Sequence, residues 1–331
     1  MIFARRLVVT RQVIEKYQVF IYLAAIGGGL CAGAWTPEHM AKGKGLLWPV
    51  LALLLYSTFT QVPLAHLREA VADGRFTLAA VLGNFLLVPA AVWVLIHFLP
   101  SDPAVRLGVL LVLLVPCTDW FITFSHLGGG DTRHAIAFSP VSLLLQIVLL
   151  PLYLWLFLGK ESVVAMASGD MVTAFAGLIL LPLLAAYLTE RWSDRTPARL
   201  AVREALAWLP VPLLALVVFL IAATQVQLVT ASLPVLGHLG LVYTVYLALA
   251  ALMARMLTRL FRLPSRQGRV LAFSLGTRNS FVVLPLALAL PTPNALAVVA
   301  IVFQSLVELI GMAAYLWLVP RWFSADQNHP R

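Results

Sequence analysis

The chain has 331 residues, of which 61% are hydrophobic and only 11% charged, and its mean hydropathy is +0.94. A soluble globular protein is about half apolar and about a quarter charged. This composition therefore excludes a soluble globular protein and predicts that lipid surrounds most of the surface. The net charge of +9 does not indicate nucleic-acid binding, because the basic residues lie in short loops between apolar runs.

The chain begins with a basic amphipathic stretch, and the apolar segment after it lacks a good signal-peptidase site, so we expect the first helix to be retained. A membrane span needs about 20 mostly apolar residues to cross about 30 Å of hydrocarbon. Ten runs meet this requirement, which predicts an all-α membrane protein of about ten transmembrane helices. The runs cover residues 17–35, 46–64, 78–99, 105–126, 135–158, 171–188, 207–224, 236–257, 268–290 and 294–319.

The distribution of basic residues predicts the orientation of these spans. Most of the 23 Lys and Arg residues fall in alternate loops, including the N-terminal stretch and the segments 191–203 and 255–269. Because short cytoplasmic loops are enriched in Lys and Arg, both termini are expected to be cytoplasmic, in a multi-pass protein of the cell (inner) membrane.

An internal repeat is indicated by the tetrapeptide Tyr-Leu-Trp-Leu, which occurs at 153–156 and again at 315–318. The repeat offset, defined as the shift that carries the first tetrapeptide onto the second, also aligns Gln146 with Glu308 and Ser142 with Gln304. Five spans in each half would give the halves opposite orientations, the inverted-repeat design of many secondary transporters. Chance recurrence of residues common near membrane ends is the alternative. Residues 1–190 are assigned to the first repeat and the sixth span, and residues 191–331 to spans seven to ten.

The predicted fourth span is interrupted by Pro116, which removes a backbone donor and clashes with the preceding turn. After it, Asp119, Thr123 and His126 form one polar stripe at helical spacing. The stripe belongs either to a binding site or to an ordinary proline-kinked helix.

The predicted ninth span carries Gly276, Arg278, Asn279, Ser280 and Pro285 in the middle of an apolar run. Paired interruptions in corresponding spans of two halves point to a transporter's binding site, because irregular backbone at membrane depth is tolerated only inside protein or beside water.

Three charges lie away from the ends of predicted spans, and an Asp or Arg costs about 2.5–3.5 kcal/mol at the centre of a membrane helix. Asp119 and Arg278 have opposite signs and lie in the two interrupted spans, so an intramembrane ion pair is predicted, with either a transport or a purely structural role. Glu308 is either a proton or cation site or a neutral acid that ties helices together.

Cys31 and Cys117 both lie in apolar segments, and no cysteine or histidine cluster suggests a metal or a cofactor. Cys117 is either a small buried hydrophobe, which its position alone favours, or a soft ligand for a thiophilic solute.

Several segments resemble the arsenite efflux permeases of the arsenical-resistance type, which belong to the bile acid/sodium symporter superfamily. The strongest similarity is the run from Pro116-Cys117-Thr118 through Ser125-His126-Leu127 to Gly130-Asp131. The other similar segments are Gln61-Val62-Pro63-Leu64, Asn84-Phe85 with Pro89, Gln146, Asn279 and Leu306-Val307-Glu308.

This resemblance implies a five-plus-five inverted repeat, interleaved panel and core subdomains, and a core in which the discontinuous fourth and ninth spans cross. It also implies that Cys117 stands where the family has its functionally required cysteine. The chain departs from the family in the ninth span, where Arg278 replaces a neutral residue and a carboxylate expected after Asn279 is missing.

The function expected from these features is secondary transport: arsenite or antimonite efflux by proton exchange, or alternatively symport or export of small organic anions with Arg278 holding a carboxylate. Sodium coupling is disfavoured, because Arg278 would repel a nearby cation. Motifs of intramembrane metalloproteases, rhomboid-like proteases and prenyltransferases are missing, so no enzyme is expected, and there is no soluble domain for a receptor. The candidate substrate-binding residues are Cys117, Thr118, Asp119, Arg278, Asn279 and Ser280. The candidate coupling or core polar residues are Gln146, Glu308, Gln304 and His126.

Overall fold

The computed structural model describes residues 2–36, 39–40, 44–62, 73–159, 176–194, 196–224, 226, 233–289 and 295–323. These residues are predominantly helical. In the first half the helices are α1 (Ile2–Trp35), α2 (Lys44–Phe59), α3 (Gly74–Leu82), α4 (Val88–Leu95), α5 (Pro103–Leu113), α6 (Trp120–Leu127) and α7 (Thr132–Leu158). In the second half they are α8 (Leu181–Ser193), α9 (Pro197–Leu206), α10 (Pro210–Thr224), α11 (Leu233–Leu260), α12 (Ser265–Gly276), α13 (Ser280–Ala289) and α14 (Ala295–Trp322).

Aspartates begin three of these helices. The side chains of Asp73, Asp102 and Asp131 accept hydrogen bonds from backbone amides in the first turns of α3, α5 and α7, respectively. A capping carboxylate satisfies amides that have no partner inside the helix and favours the positive end of the helix dipole. The caps therefore define where these spans start.

Five continuous helical segments are long and apolar enough to cross a membrane, namely 74–98, 132–157, 199–224, 234–260 and 296–322. Shorter apolar helices cover Phe20–Trp35, Gly45–Phe59 and Pro103–Leu113. The chain is therefore a multi-pass membrane protein. The count of ten spans stays a prediction, as do the division at residue 190 and the part of the sixth span (171–175) that lies outside the described residues.

The helices pack as two groups. α1 and α2 pack against α10, and α2 also packs against α8, whereas α5 packs against α14 and α11 packs against α12 and α14. Close contacts between helix backbones depend on glycine: a Cβ added to Gly108 in α5 would lie 2.6 Å from the Ala297 carbonyl oxygen in α14. Small residues at such positions let membrane helices approach closely.

The third span contains a π-helical turn at Gly83–Leu87, which merges into α4. Pro89 cannot donate to the carbonyl of Phe85, four residues earlier, and the hydroxyl of Tyr153 in α7 donates to that carbonyl instead. The turn places the fully buried Asn84 side chain toward α12.

Candidate functional site at the helix breaks

The fourth span is broken between α5, which ends at Leu113, and α6, which begins at Trp120. The ninth span is broken between α12, which ends at Gly276, and α13, which begins at Ser280. Pro116 accounts for the first break because it removes an amide donor from the middle of the span. The interruption expected from sequence is thus present in both segments.

The two breaks meet in the interior. Pro116 and Arg278 form an antiparallel β-bridge. The amide of Cys117 donates to the carbonyl of Thr277 at 3.2 Å, and the amide of Asn279 donates to the carbonyl of Val115 at 2.8 Å. Each unwound segment therefore supplies hydrogen bonds that the other has lost, which allows non-helical backbone at membrane depth.

A chain of polar side chains extends from the ninth-span break to α14. The Ser280 hydroxyl donates to Gln304 Oε1 at 3.0 Å, and Gln304 Nε2 donates to Glu308 Oε2 at 2.7 Å. The same Glu308 oxygen accepts the backbone amide of Arg278 at 2.8 Å. All four residues are buried. Glu308 is linked to the break by two hydrogen bonds, one from the Arg278 amide and one through Gln304.

The guanidinium of Arg278 has other partners than the predicted Asp119. Nη2 donates to Asn84 Oδ1 and to the carbonyls of Ser274 and Leu275, each at 2.9 Å, and Nη1 donates to the carbonyl of Leu113 at 3.3 Å. All four of these acceptors are neutral, and three of them are backbone carbonyls. The physical reason is that α5 and α12 both end here and leave carbonyls without helical partners.

Asp119 accepts a hydrogen bond from its neighbour on the break. The thiol of Cys117, which is only 3% exposed, donates to Asp119 Oδ1 at 3.2 Å. The next residue, Thr118, accepts Asn279 Nδ2 on its hydroxyl at 3.3 Å, and its carbonyl accepts the Ser139 hydroxyl of α7. The structure therefore brings Cys117, Thr118 and Asp119 together with Asn279.

In the part of the chain that the structure describes, two buried polar side chains of α7 have no hydrogen-bond partner. Among the described residues, neither polar atom of the Gln146 side chain nor the Ser142 hydroxyl has a hydrogen-bond partner. Gln146 is 2% exposed and Ser142 is fully buried. Glu308, the counterpart of Gln146 at the repeat offset, receives the amide of Arg278; the counterpart of Arg278 is Pro116, which has no amide hydrogen to donate.

A cavity of about 240 Å³ adjoins the site. Asp119 and Thr123 line it from the fourth-span break and α6, and Gln61 and Arg203 line it from the end of the second span and from α9. The remaining lining residues are Trp120, Ile122, Ile136, Ala207, Pro210 and Val211. His126, which was expected on the same stripe as Asp119 and Thr123, is exposed and has Thr132 Oγ1 3.5 Å from its Nδ1. Because it lies at the far end of α6, His126 is not part of this arrangement.

Residues 48–232, a little over half of the chain, match the sequence profile described as the Sodium Bile acid symporter family. The chain belongs to the Sodium Bile acid symporter family. It is therefore a membrane transporter of this family, with apolar helices that cross the bilayer several times. No curated protein matches it.

Sequence reasoning assigned no site role to Asn84, Ser274 or Arg203 in this family member. Asn84 could have been found, because an amide in an apolar span is unusual and Asn84 lies in one of the segments that resemble the family. Ser274 acts through its backbone carbonyl and through a hydroxyl that accepts Asn84 Nδ2, and Arg203 lies in an amphipathic helix whose pattern predicts a cytoplasmic loop. Neither role leaves a signal in the sequence.

Proposed function

We propose that the chain is a secondary carrier whose solute enters the cavity beside Asp119 and binds at the meeting point of the two broken spans, and that the solute is arsenite or antimonite, exported in exchange for protons. The observation that carries the proposal is the Cys117 thiol. It lies on the fourth-span break and donates to Asp119, which lines the cavity.

Arsenite in its neutral form needs soft and polar contacts rather than a counter-charge. A thiol is the protein's soft ligand, and hydroxyl and amide groups can bind the solute's oxygens. Cys117 supplies the thiol, Thr118 supplies a hydroxyl, and Asn279 faces Thr118 across the break. A single cysteine suits a carrier, which must release its solute.

Proton exchange requires groups inside the protein that bind and release a proton, and buried carboxylates are common ones. Glu308 is tied to the ninth-span break through the Arg278 amide, and Asp119 is tied to the fourth-span break through the Cys117 thiol. Both carboxylates are thus coupled directly to the segments where the solute is proposed to bind. Protonation of either one would change a hydrogen bond that holds the break.

The inverted repeat forms part of the proposal. Shifted by the repeat offset, α5 would cover 265–275, where α12 covers Ser265–Gly276. The hydroxyl of Tyr153 donates to the Phe85 carbonyl, and the hydroxyl of Tyr315 donates to the Leu247 carbonyl, so both partners are related by that offset. These equivalences support two halves of five spans, and the distribution of Lys and Arg supports cytoplasmic termini.

The alternative solute is a small organic anion. Arg278 is a poor ligand for it, because the residue is only 3% exposed and its guanidinium already donates to four oxygens. Arg203 is the cation that lines the cavity, although it also donates to the Thr60 carbonyl and lies 3.7 Å from Asp194. An anion would therefore bind nearer to α9 than to the breaks.

Arsenite sensitivity of a pump-deficient bacterial strain tests the proposal. The wild-type chain is expected to confer resistance, and Cys117→Ser to lose it at equal expression. Cys31→Ser is the matched control, because Cys31 is exposed on α1 and is expected to keep full resistance.

Two outcomes would contradict the proposal. Full resistance with Cys117→Ser would make the thiol structural. If the wild-type chain confers no resistance at all, while vesicles containing it take up a small organic anion, the alternative solute takes precedence.

A further inference from the structure

The oxygens that accept hydrogen bonds from the Arg278 side chain are neutral, as in a site that binds a small cation. Three oxygens lie 2.9 Å from Nη2, namely Asn84 Oδ1 and the carbonyls of Ser274 and Leu275. The Leu113 carbonyl lies 3.3 Å from Nη1, and the ring of Tyr246 lies 5.6 Å from the guanidinium carbon. None of these four oxygens belongs to a carboxylate.

The backbone oxygens come from the ends of two half-helices. Leu113 is the last residue of α5, and Ser274 and Leu275 lie in the last turn of α12. The carbonyls of a last turn have no helical partner and carry the negative end of the helix dipole. Free carbonyls at the ends of broken helices are where transporters coordinate small cations.

The side-chain oxygen, Asn84 Oδ1, is oriented by the hydrogen bonds of the amide nitrogen in the same side chain. Asn84 Nδ2 donates to the Ser274 hydroxyl at 3.0 Å and to the Ala80 carbonyl at 3.1 Å, which turns Oδ1 toward Arg278. The π-helical turn at Gly83–Leu87 carries this side chain. The four oxygens are thus held by three different spans, and a cation among them ties those spans together.

We propose that the Arg278 guanidinium is a tethered cation, which permanently occupies an oxygen site that would otherwise take a free monovalent cation. The family's description includes sodium. These four oxygens do not fit a sodium ion while Arg278 is present, because the guanidinium already occupies the space between them. The chain therefore needs no sodium at this site. The consequence for ion coupling rests on the proposed carrier function, whereas the site itself rests on geometry alone.

The experiment uses the purified full-length chain in detergent and measures its melting temperature. Arg278→Ala empties the oxygen site, and Arg278→Gln removes the charge while keeping more of the side-chain volume. Both variants are titrated with guanidinium chloride in the low millimolar range, far below the concentrations at which it unfolds proteins. Sodium chloride is compared with choline chloride at equal ionic strength.

The expected result is a lowered melting temperature in both variants and a saturable rise with guanidinium or sodium, since a ligand that binds the folded state stabilises it. The wild-type chain and Arg321→Ala should show no such rise. Arg321 is a suitable control because it is an exposed arginine of α14 that lies over Trp317. Arg278→Lys, which keeps a tethered charge, should respond weakly to guanidinium.

Two results would overturn the proposal. One is a folded Arg278→Ala or Arg278→Gln protein whose melting temperature responds to neither cation. The other, which needs no variant, is a sodium-specific rise in the wild-type melting temperature. Because neither readout involves transport, a failed arsenite assay would not affect this test, and a negative result here would leave the carrier proposal standing.

Discussion

Pro116 and Arg278 face each other in an antiparallel bridge, and their separation along the chain equals the repeat offset at which the Tyr-Leu-Trp-Leu tetrapeptide recurs. Each of them thus pairs with its own counterpart in the proposed repeat. Because one position holds a proline and its counterpart holds an arginine, the two halves differ chemically at this bridge. One half ties its α14 carboxylate to a backbone amide, whereas the other leaves an amide side chain of α7 without a partner among the described residues.

The first prediction concerns Gln146. Gln146→Leu should leave the melting temperature unchanged or raise it, because a buried polar group without a partner costs about 1–3 kcal/mol. Arsenite export should fall if this amide binds the solute. Gln304→Leu is the control, because it breaks the hydrogen bonds to Ser280 and Glu308 and should destabilise the fold. A drop in stability for Gln146→Leu similar to that of the control would contradict this prediction.

The second prediction concerns Glu308 as the proton-exchanging group. Glu308→Gln keeps an oxygen acceptor for the Arg278 amide and should cost less than about 1 kcal/mol, whereas Glu308→Ala leaves two buried donors unpaired and should cost about 2–6 kcal/mol. Export by Glu308→Gln should lose its pH dependence, measured as arsenite flux in vesicles between pH 6 and 8. An unchanged pH profile would assign the proton to another residue.

The third prediction concerns Asp73, which caps α3 outside the membrane span. Burial alone raises the pKa of Asp73, but hydrogen bonds from the Phe76 amide, Gln267 and His134, together with the charge of His134, outweigh it and lower the pKa. A carboxyl with a lowered folded-state pKa contributes stability above its unfolded value of about 3.9 and loses it as the pH falls through the folded value.

Melting temperatures measured from pH 7 down to about 3 should therefore drop less steeply for Asp73→Asn than for the wild-type chain. Asn can still cap the helix, so Asp73→Ala should be less stable at every pH, by about 1 kcal/mol. Parallel pH curves for Asp73→Asn and the wild-type chain would show that this carboxylate does not contribute.

The fourth prediction concerns the contact between α5 and α14. Gly108→Ala places a Cβ 2.6 Å from the Ala297 carbonyl oxygen, so the helices must separate, at a cost of about 1–3 kcal/mol. Gly237→Ala in α11 is the matched control, because an added Cβ there meets nothing within 4 Å. Equal melting temperatures for the two variants would mean that α5 and α14 are less tightly packed than described.

Much of the fold could be predicted because helices and their breaks depend on which side chains are apolar, polar or proline. Long apolar runs predicted the helices, and the interruptions around Pro116 and Arg278 predicted where two of them break. The family resemblance implies that the two interrupted spans cross, and the bridge shows that their breaks meet. The match to the family profile confirms the superfamily, whereas membership of the arsenite subfamily remains a proposal.

The partners of the buried charges could not be predicted in the same way. Opposite signs predict an ion pair between Arg278 and Asp119, which stays a prediction, but they gave no indication that the guanidinium donates to three backbone carbonyls and an asparagine. Every residue has a carbonyl, so the sequence cannot indicate which ones are free; that depends on where each helix ends and which ends meet.

The sequence by itself determined that the chain is a helical membrane protein and that polar residues interrupt two of its spans. Composition and hydrophobic periodicity follow directly from residue type. Only the tertiary structure decided that Cys117 binds Asp119, that Glu308 holds the Arg278 amide, and that His126 lies apart from both. These relationships depend on how helices from distant parts of the chain are placed against one another, and short-range spacing in the sequence carries no record of that placement.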